Sequence, residues 1–235
     1  MNSSPIQKTV LFLHGALGSS QDLAALMDYV KENGHNVLTF DFSGHGLQSK
    51  WPEEFRIDLF ARQLDQYLKD RELHNIVVFG YSMGGYVALY HKANFEDSPL
   101  AQIITYGTKF NWSENSVARE LPMLDPELLQ GKFPQLVEAL KAKHGDRWKS
   151  LLHSTAHLMQ NLEKLDGLTR EDLSDIEIPV TLILGDQDRM VSTEETHLTS
   201  TWLRRSQYKT LTHSKHELER SNLRELAEII DSVIE

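Results

Sequence analysis

Short runs of β-branched and apolar residues alternate along the chain with segments whose apolar residues recur three or four positions apart. That alternation marks parallel strands joined by crossover helices and predicts an α/β fold. Thr9 to Leu13 reads as a buried strand ending in His14-Gly15-Ala16-Leu17-Gly18. An amphipathic helix begins near Ser20, runs through Leu23, Leu26, Met27 and Val30, and closes at Gly34. Asn36 to Phe42 is a second strand that enters Ser43-Gly44-His45-Gly46, and Leu59, Phe60, Gln63, Leu64 and Leu68 mark the long helix after it. The unit repeats with a strand over Asn75 to Tyr81, a helix over Met83 to Ala93 and a strand over Ala101 to Tyr106.

From Thr108 to Arg170 no β-branched run occurs, and the spacing predicts a helical insertion. Its helices are expected at Asn115 to Leu121, Pro126 to Leu129, Phe133 to His144 and Trp148 to Leu165, with Asp146 or Ser150 as a start signal for the last. Strand character resumes at Ile178 to Leu184. A helix over Glu194 to Leu203, a strand over Ser206 to Leu211 and a terminal helix over Glu219 to Val233 complete six strands. The expected division is a core of residues 1–107 and 171–235 around an insertion of residues 108–170.

Composition narrows the function classes. A chain of 235 residues, 40% hydrophobic and 25% charged, suits one core with one insertion. Lys plus Arg at 24 against Asp plus Glu at 34 gives a formal charge of -10, which repels phosphate backbones and anionic headgroups, so neither nucleic acid nor membrane is an expected partner. The absence of cysteine excludes disulfides, thiolate metal sites and a cysteine nucleophile. The apolar run at Val10 to Leu13 is too short for an export signal, and no stretch of about 18 apolar residues occurs, so a soluble, cytoplasmic protein is expected.

The chemistry concentrates in Val77-Val78-Phe79-Gly80-Tyr81-Ser82-Met83-Gly84-Gly85-Tyr86, where a buried strand meets Gly-x-Ser-x-Gly and a helix starts at once. This is the pattern of a nucleophile elbow, a strained turn that exposes the Ser82 hydroxyl at the strand's end. Gly80 and Gly84 are required because a side chain at either would strike a neighbouring strand or helix. The backbone N–H of Met83, at the positive end of the helix, points where negative charge would develop during attack on a carbonyl. The plainer reading is a glycine-rich turn with a capping serine.

Together with His14-Gly15, these motifs make the chain resemble the α/β-hydrolase fold superfamily. The resemblance implies a three-layer fold, a mostly parallel sheet and a helical cap over Ser82. It places a second oxyanion donor at Ala16, with Leu17 as neighbour, and a structural loop at Asp41-Phe42-Ser43-Gly44-His45-Gly46. The family order of serine, acid and histidine picks Asp188 from Gly185-Asp186-Gln187-Asp188-Arg189-Met190-Val191, with Asp186 as the competitor whose ordinary role is to cap the turn. It picks His216 from Thr212-His213-Ser214-Lys215-His216, with His213 as the rival. His14 and His45 are read as structural. Few residues precede the first strand, so the first two of the family's usual eight strands are expected to be missing, leaving six.

A serine nucleophile sets the chain apart from fold members that require aspartate there. What the resemblance implies is a small ester or thioester as acyl substrate, with no metal and no organic cofactor. A lyase or carbon–carbon hydrolase on the same triad, like the menaquinone-pathway enzyme, is the alternative, as is a ligand-binding member without catalysis. Candidate substrate contacts are Leu17, Tyr81, Trp112 and Met123. Phe110, Leu121, Leu124, Trp148 and Met159 are further apolar candidates, although most such residues simply pack helices together. Lys109, Arg119 and Arg147 could meet a substrate carboxylate, but exposed charges of this kind are usually only solvated, and they are not taken as site residues.

Overall fold

The computed structural model describes residues 7–47, 50–52, 54–164 and 167–234. The expected helix end at Leu165 and residues 1–6 lie outside the described residues. Six strands, β1 (Thr9–Leu13), β2 (Asn36–Thr39), β3 (Ile76–Tyr81), β4 (Leu100–Tyr106), β5 (Val180–Gly185) and β6 (Ser206–Leu211), form one sheet in the order β2-β1-β3-β4-β5-β6. Every neighbouring pair is parallel, so the mostly parallel sheet expected from sequence is parallel throughout.

Helices cover both faces, which is why the central strands read as unbroken apolar runs. Val10, Phe12, Val77 and Phe79 meet α1 (Ala24–Glu32) and α10 (Leu223–Val233) through Leu26, Val30, Leu226 and Ile230. Leu11, Leu13 and Val78 face the other way, onto α2 (Ile57–Asp70) and α3 (Met83–Asn94). The chain between β4 and β5 is helical: α4 (Glu114–Glu120), α5 (Pro126–Lys132), α6 (Pro134–His144), α7 (Trp148–Lys164) and α8 (Arg170–Ser174). Part of it packs on itself, with Leu124, Leu129, Val137, Leu140, Trp148 and Leu152 in a cluster of their own. α9 (Thr193–Trp202) joins β5 to β6.

Among the boundaries that differ from the sequence reading, three do so for clear local reasons. β2 stops at Thr39 rather than Phe42, because the next backbone groups bond to side chains: the Phe42 N–H donates to His14 Nε2 at 3.1 Å. β5 starts two residues late, after Pro179, which has no N–H to give a ladder. The terminal helix starts at Leu223, where Asn222 supplies the cap by accepting from the Glu225 N–H, and Leu218–Arg220 form a separate short turn. No helix among the described residues is long and apolar enough to cross a membrane.

Candidate active site

β3 delivers Ser82 to the carboxyl edge of the sheet with φ 50° and ψ −114°, a conformation that non-glycine residues adopt only when their surroundings enforce it. The enforcement is visible. The Ser82 N–H donates to the Tyr106 carbonyl at 2.8 Å, and the Ser82 carbonyl accepts from Gly85 N–H at 3.1 Å and Thr108 Oγ1 at 3.0 Å. A methyl group on Gly84 would overlap the Leu13 carbonyl, and one on Gly80 would overlap the Gly85 backbone. Strand, turn and helix therefore approach one another only through glycine.

The acid and the base come from the loops after β5 and β6. Asp188 is fully buried, and its Oδ1 accepts from the N–H groups of Met190 at 2.8 Å and Val191 at 2.9 Å. Its Oδ2 lies 2.8 Å from Nδ1 of His216, whose side chain is 13% exposed. Three hydrogen bonds thus hold one carboxylate and one ring in register, which leaves Nε2 of His216 available to a proton. Gly107, at φ 63°, lies directly under the pair. A Cβ there would sit 3.2 Å from the His216 ring and 3.5 Å from Asp188 Oδ2.

The two rivals do other work. Asp186 Oδ1 accepts from the Ser214 N–H at 3.0 Å, and N–H groups of Ser214 and His213 hold its carboxyl below the usual range, so it fastens the histidine loop. His213 is exposed, with a left-handed φ of 51°. The Tyr106 hydroxyl ties the same loop by donating to the Lys215 carbonyl and meeting Ser221 Oγ at 2.7 Å, and burial pushes its pKa up to about 12.

Ala16 and Met83 line a pocket together with Ser82. Neither backbone N–H has an acceptor among the described residues, so both are available to a ligand oxygen. The Ala16 turn is closed by Gly18 N–H on the Gly15 carbonyl at 3.1 Å. His14 beneath it is buried, donates from Nδ1 to the Gly15 carbonyl at 2.8 Å and accepts at Nε2, and burial holds its pKa below the ordinary value.

The rest of the pocket is apolar: Ile57 and Tyr86 from the core, Met190 from the acid loop, and Leu158, Met159 and Leu162 from α7. Trp112, Thr155 and Lys109 complete it. It is a tight cavity of about 40 Å³, enough for a few waters. A more open cleft of about 400 Å³ is bordered by His216 together with Gln187, Arg189, Lys215 and Arg220, and Met190 borders both spaces.

Of the expected substrate contacts, Trp112 is in the pocket and three are not. Met123 is 41% exposed on the insertion's surface, because the buried side of its short turn is taken by Leu124. Leu17 turns away at φ 60° and presents its carbonyl to His144 Nε2 at 2.9 Å. Tyr81 packs beside the His216 ring, 5.7 Å between centroids. Leu124 and Trp148 belong to the insertion's own cluster. Sequence reasoning missed Thr155, Leu158 and Leu162. The signal was the spacing of Thr155, Leu158, Met159 and Leu162 along one stripe of α7.

The model of the alpha/beta hydrolase fold family matches residues 8–169, and the chain belongs to that family. A carboxylesterase of Bacillus subtilis (strain 168) is 24% identical over 200 residues, 81% of this chain and 76% of its own. A 2-succinyl-6-hydroxy-2,4-cyclohexadiene-1-carboxylate synthase of Yersinia pestis (strain Pestoides F) is 26% identical over 204 residues, 76% of this chain and 72% of its own. A multifunctional-autoprocessing repeats-in-toxin protein of Vibrio cholerae serotype O1 is 37% identical over 90 residues, which are 37% of this chain and only 2% of that protein's length. Among solved structures, an esterase from Exiguobacterium antarcticum superposes with a TM-score of 0.79 at 18% identity, covering 97% of this chain and 92% of that one, a likeness of fold.

Proposed function

We propose that the chain is a serine hydrolase that cleaves a small ester or thioester through an acyl-enzyme. The observation that carries this reading is the 2.8 Å pairing of His216 with Asp188 at the same sheet edge as the strained Ser82. Ser82 Oγ attacks the substrate carbonyl carbon while its proton passes to His216 Nε2, and Asp188 holds the Nδ1 proton and offsets the imidazolium charge. The oxyanion accepts from the N–H groups of Ala16 and Met83. Collapse of the tetrahedral species breaks the bond to the leaving alkoxide or thiolate, which takes the proton from Nε2 and leaves through the cleft beside Lys215. Water then attacks the acyl-enzyme with His216 as base, and the acid departs as Ser82 regains its proton.

The Bacillus carboxylesterase supports hydrolysis, and the Yersinia synthase, matched over a similar share of the chain, favours a second reading in which the same three residues run an elimination or carbon–carbon step. Intact-mass spectrometry with a small fluorophosphonate tests the first. One adduct is expected on the wild type and none on Ser82→Ala, with ester hydrolysis falling by roughly three orders of magnitude or more in the variant. Absence of an adduct on folded wild type overturns it. An adduct with no turnover of activated esters moves the reading to the second reaction class.

A further inference from the structure

Five buried side-chain polar atoms among the described residues have no hydrogen-bond partner, and two of them, Trp112 Nε1 and Thr155 Oγ1, belong to residues lining the Ser82 pocket. Leaving a buried donor unpaired costs roughly 1–3 kcal/mol, so folded proteins keep few such groups. These two arrive from separate segments, Trp112 from the chain leaving β4 and Thr155 from α7, onto a surface that is mostly Ile57, Leu158, Leu162 and methionines, with Ala16, Ser82, Tyr86 and Lys109 completing it.

A third polar group stands with them. Lys109 is 7% exposed in its side chain, donates to the Met190 carbonyl at 2.9 Å and lies 3.7 Å from Glu120 Oε1. Its Nζ is 6.0 Å from the centre of the Trp112 ring. Hydrocarbon packing gives no reason to gather an indole N–H, a hydroxyl and an ammonium in one narrow apolar pocket. All three donate.

We infer that the acyl group of the substrate carries a second oxygen, an oxo or carboxylate acceptor, which the pocket receives through Trp112 Nε1 and Thr155 Oγ1 with the Lys109 charge beside it. This rests on the reading of Ser82 as the nucleophile, and it adds what that reading leaves open, the chemical class of the acyl chain. A plain alkyl chain would leave both donors dry and unpaired, whereas an acceptor oxygen satisfies them. A site built to hydrogen-bond a substrate group discriminates against an analogue lacking it far more sharply than apolar fit does. The methionines at 159 and 190 are the side chains best able to yield as the tight space fills.

Three matched p-nitrophenyl esters test the inference: pentanoate, 4-oxopentanoate and the monoester of succinate. At least one oxygenated ester is expected to exceed pentanoate in kcat/KM by about tenfold or more, the equivalent of 1.4 kcal/mol. Thr155→Val and Trp112→Phe are each expected to shrink that ratio towards one. A preference confined to succinate and removed by Lys109→Gln assigns a charged acceptor, and a shared preference assigns a neutral one. Equal or better use of pentanoate overturns the inference. Calorimetric binding of the three free acids to Ser82→Ala protein separates this from the chemistry. Tighter binding of 4-oxopentanoate or succinate than of pentanoate supports the acceptor site even where no ester is turned over, and equal binding of all three overturns it while the hydrolase reading stands or falls on the fluorophosphonate adduct.

Discussion

The pocket has two walls that are held by different means. On the sheet side the backbone itself is fixed: Ser82 is bonded at both N–H and carbonyl, and Gly80, Gly84 and Gly107 leave no free space around the turn or the His216–Asp188 pair. On the insertion side, side chains do the holding. His144 at the end of α6 accepts from the Gly46 N–H at 3.0 Å and donates to the Leu17 carbonyl at 2.9 Å. Glu195 of α9 accepts from the N–H groups of Phe110 at 2.9 Å and Asn111 at 3.1 Å, and Lys143 pairs with Asp22. The contrast teaches where tolerance lies. Ser82 and the His216–Asp188 pair are set chiefly by main-chain geometry, while the opposite wall of the pocket is set by rotatable contacts.

Breaking the rigid wall is expected to have the largest effect. Gly84→Ala drives a methyl group into the Leu13 carbonyl, which is main chain and cannot swing aside, so a loss of about 3 kcal/mol or more is expected in urea unfolding. An unchanged midpoint would show that close packing does not set the elbow.

Acid comes next, and it acts on both walls. Burial holds His14, His45, His91 and His144 below the ordinary histidine pKa, His91 at about 4 against 6.5. These rings are neutral when folded, so the unfolded chain takes up protons first as pH falls. Their contribution is therefore complete above 6.5 and is lost as pH drops towards the folded values. For His91, with each unit worth about 1.4 kcal/mol, the loss approaches about 3 kcal/mol between pH 6.5 and 4. Denaturant titrations that give a flat stability across that window would contradict the burial argument.

The smallest effect sharpens the contrast most. His144→Ala leaves the Gly46 N–H and the Leu17 carbonyl without their partner, at a cost of about 2 kcal/mol. Hydrogen exchange is expected to quicken in α6 and α7 while β1, β3 and β4 keep their protection. Equal loss in both would mean that the insertion and the sheet open as one unit.

The two walls also differ in how plainly the sequence announces them. Buried parallel strands show as apolar runs, and Gly80-Tyr81-Ser82-Met83-Gly84 shows as spacing, because both are local consequences of backbone sterics. The pairing of His216 with Asp188 rather than with Asp186 follows the residue order and loop pattern that the family resemblance implies. The insertion was readable as helices but not as a surface. An amphipathic stripe says that a face is buried without saying against what, so Met123 and Trp148 looked as eligible as Thr155 and Leu158. Lys109 reads from sequence as an exposed charge on the helical segment, and only the fold puts the Met190 carbonyl and Glu120 beside it.

β4 and β5 are hydrogen-bonded neighbours, Tyr106 level with Ile183, and the Gly107 N–H still reaches the Ile183 carbonyl at 3.0 Å before the chain departs. The insertion departs at Thr108, whose Oγ1 donates to the Ser82 carbonyl, and is back at Leu168, whose N–H donates to the Tyr86 hydroxyl, so it is a detour that leaves and returns beside the start of α3. Closing such a loop costs free energy that grows only with the logarithm of its length, about 0.6 kcal/mol for each doubling. Exchanging, lengthening or trimming the detour therefore costs the sheet little, and one sheet edge can carry pockets of different shape without being rebuilt.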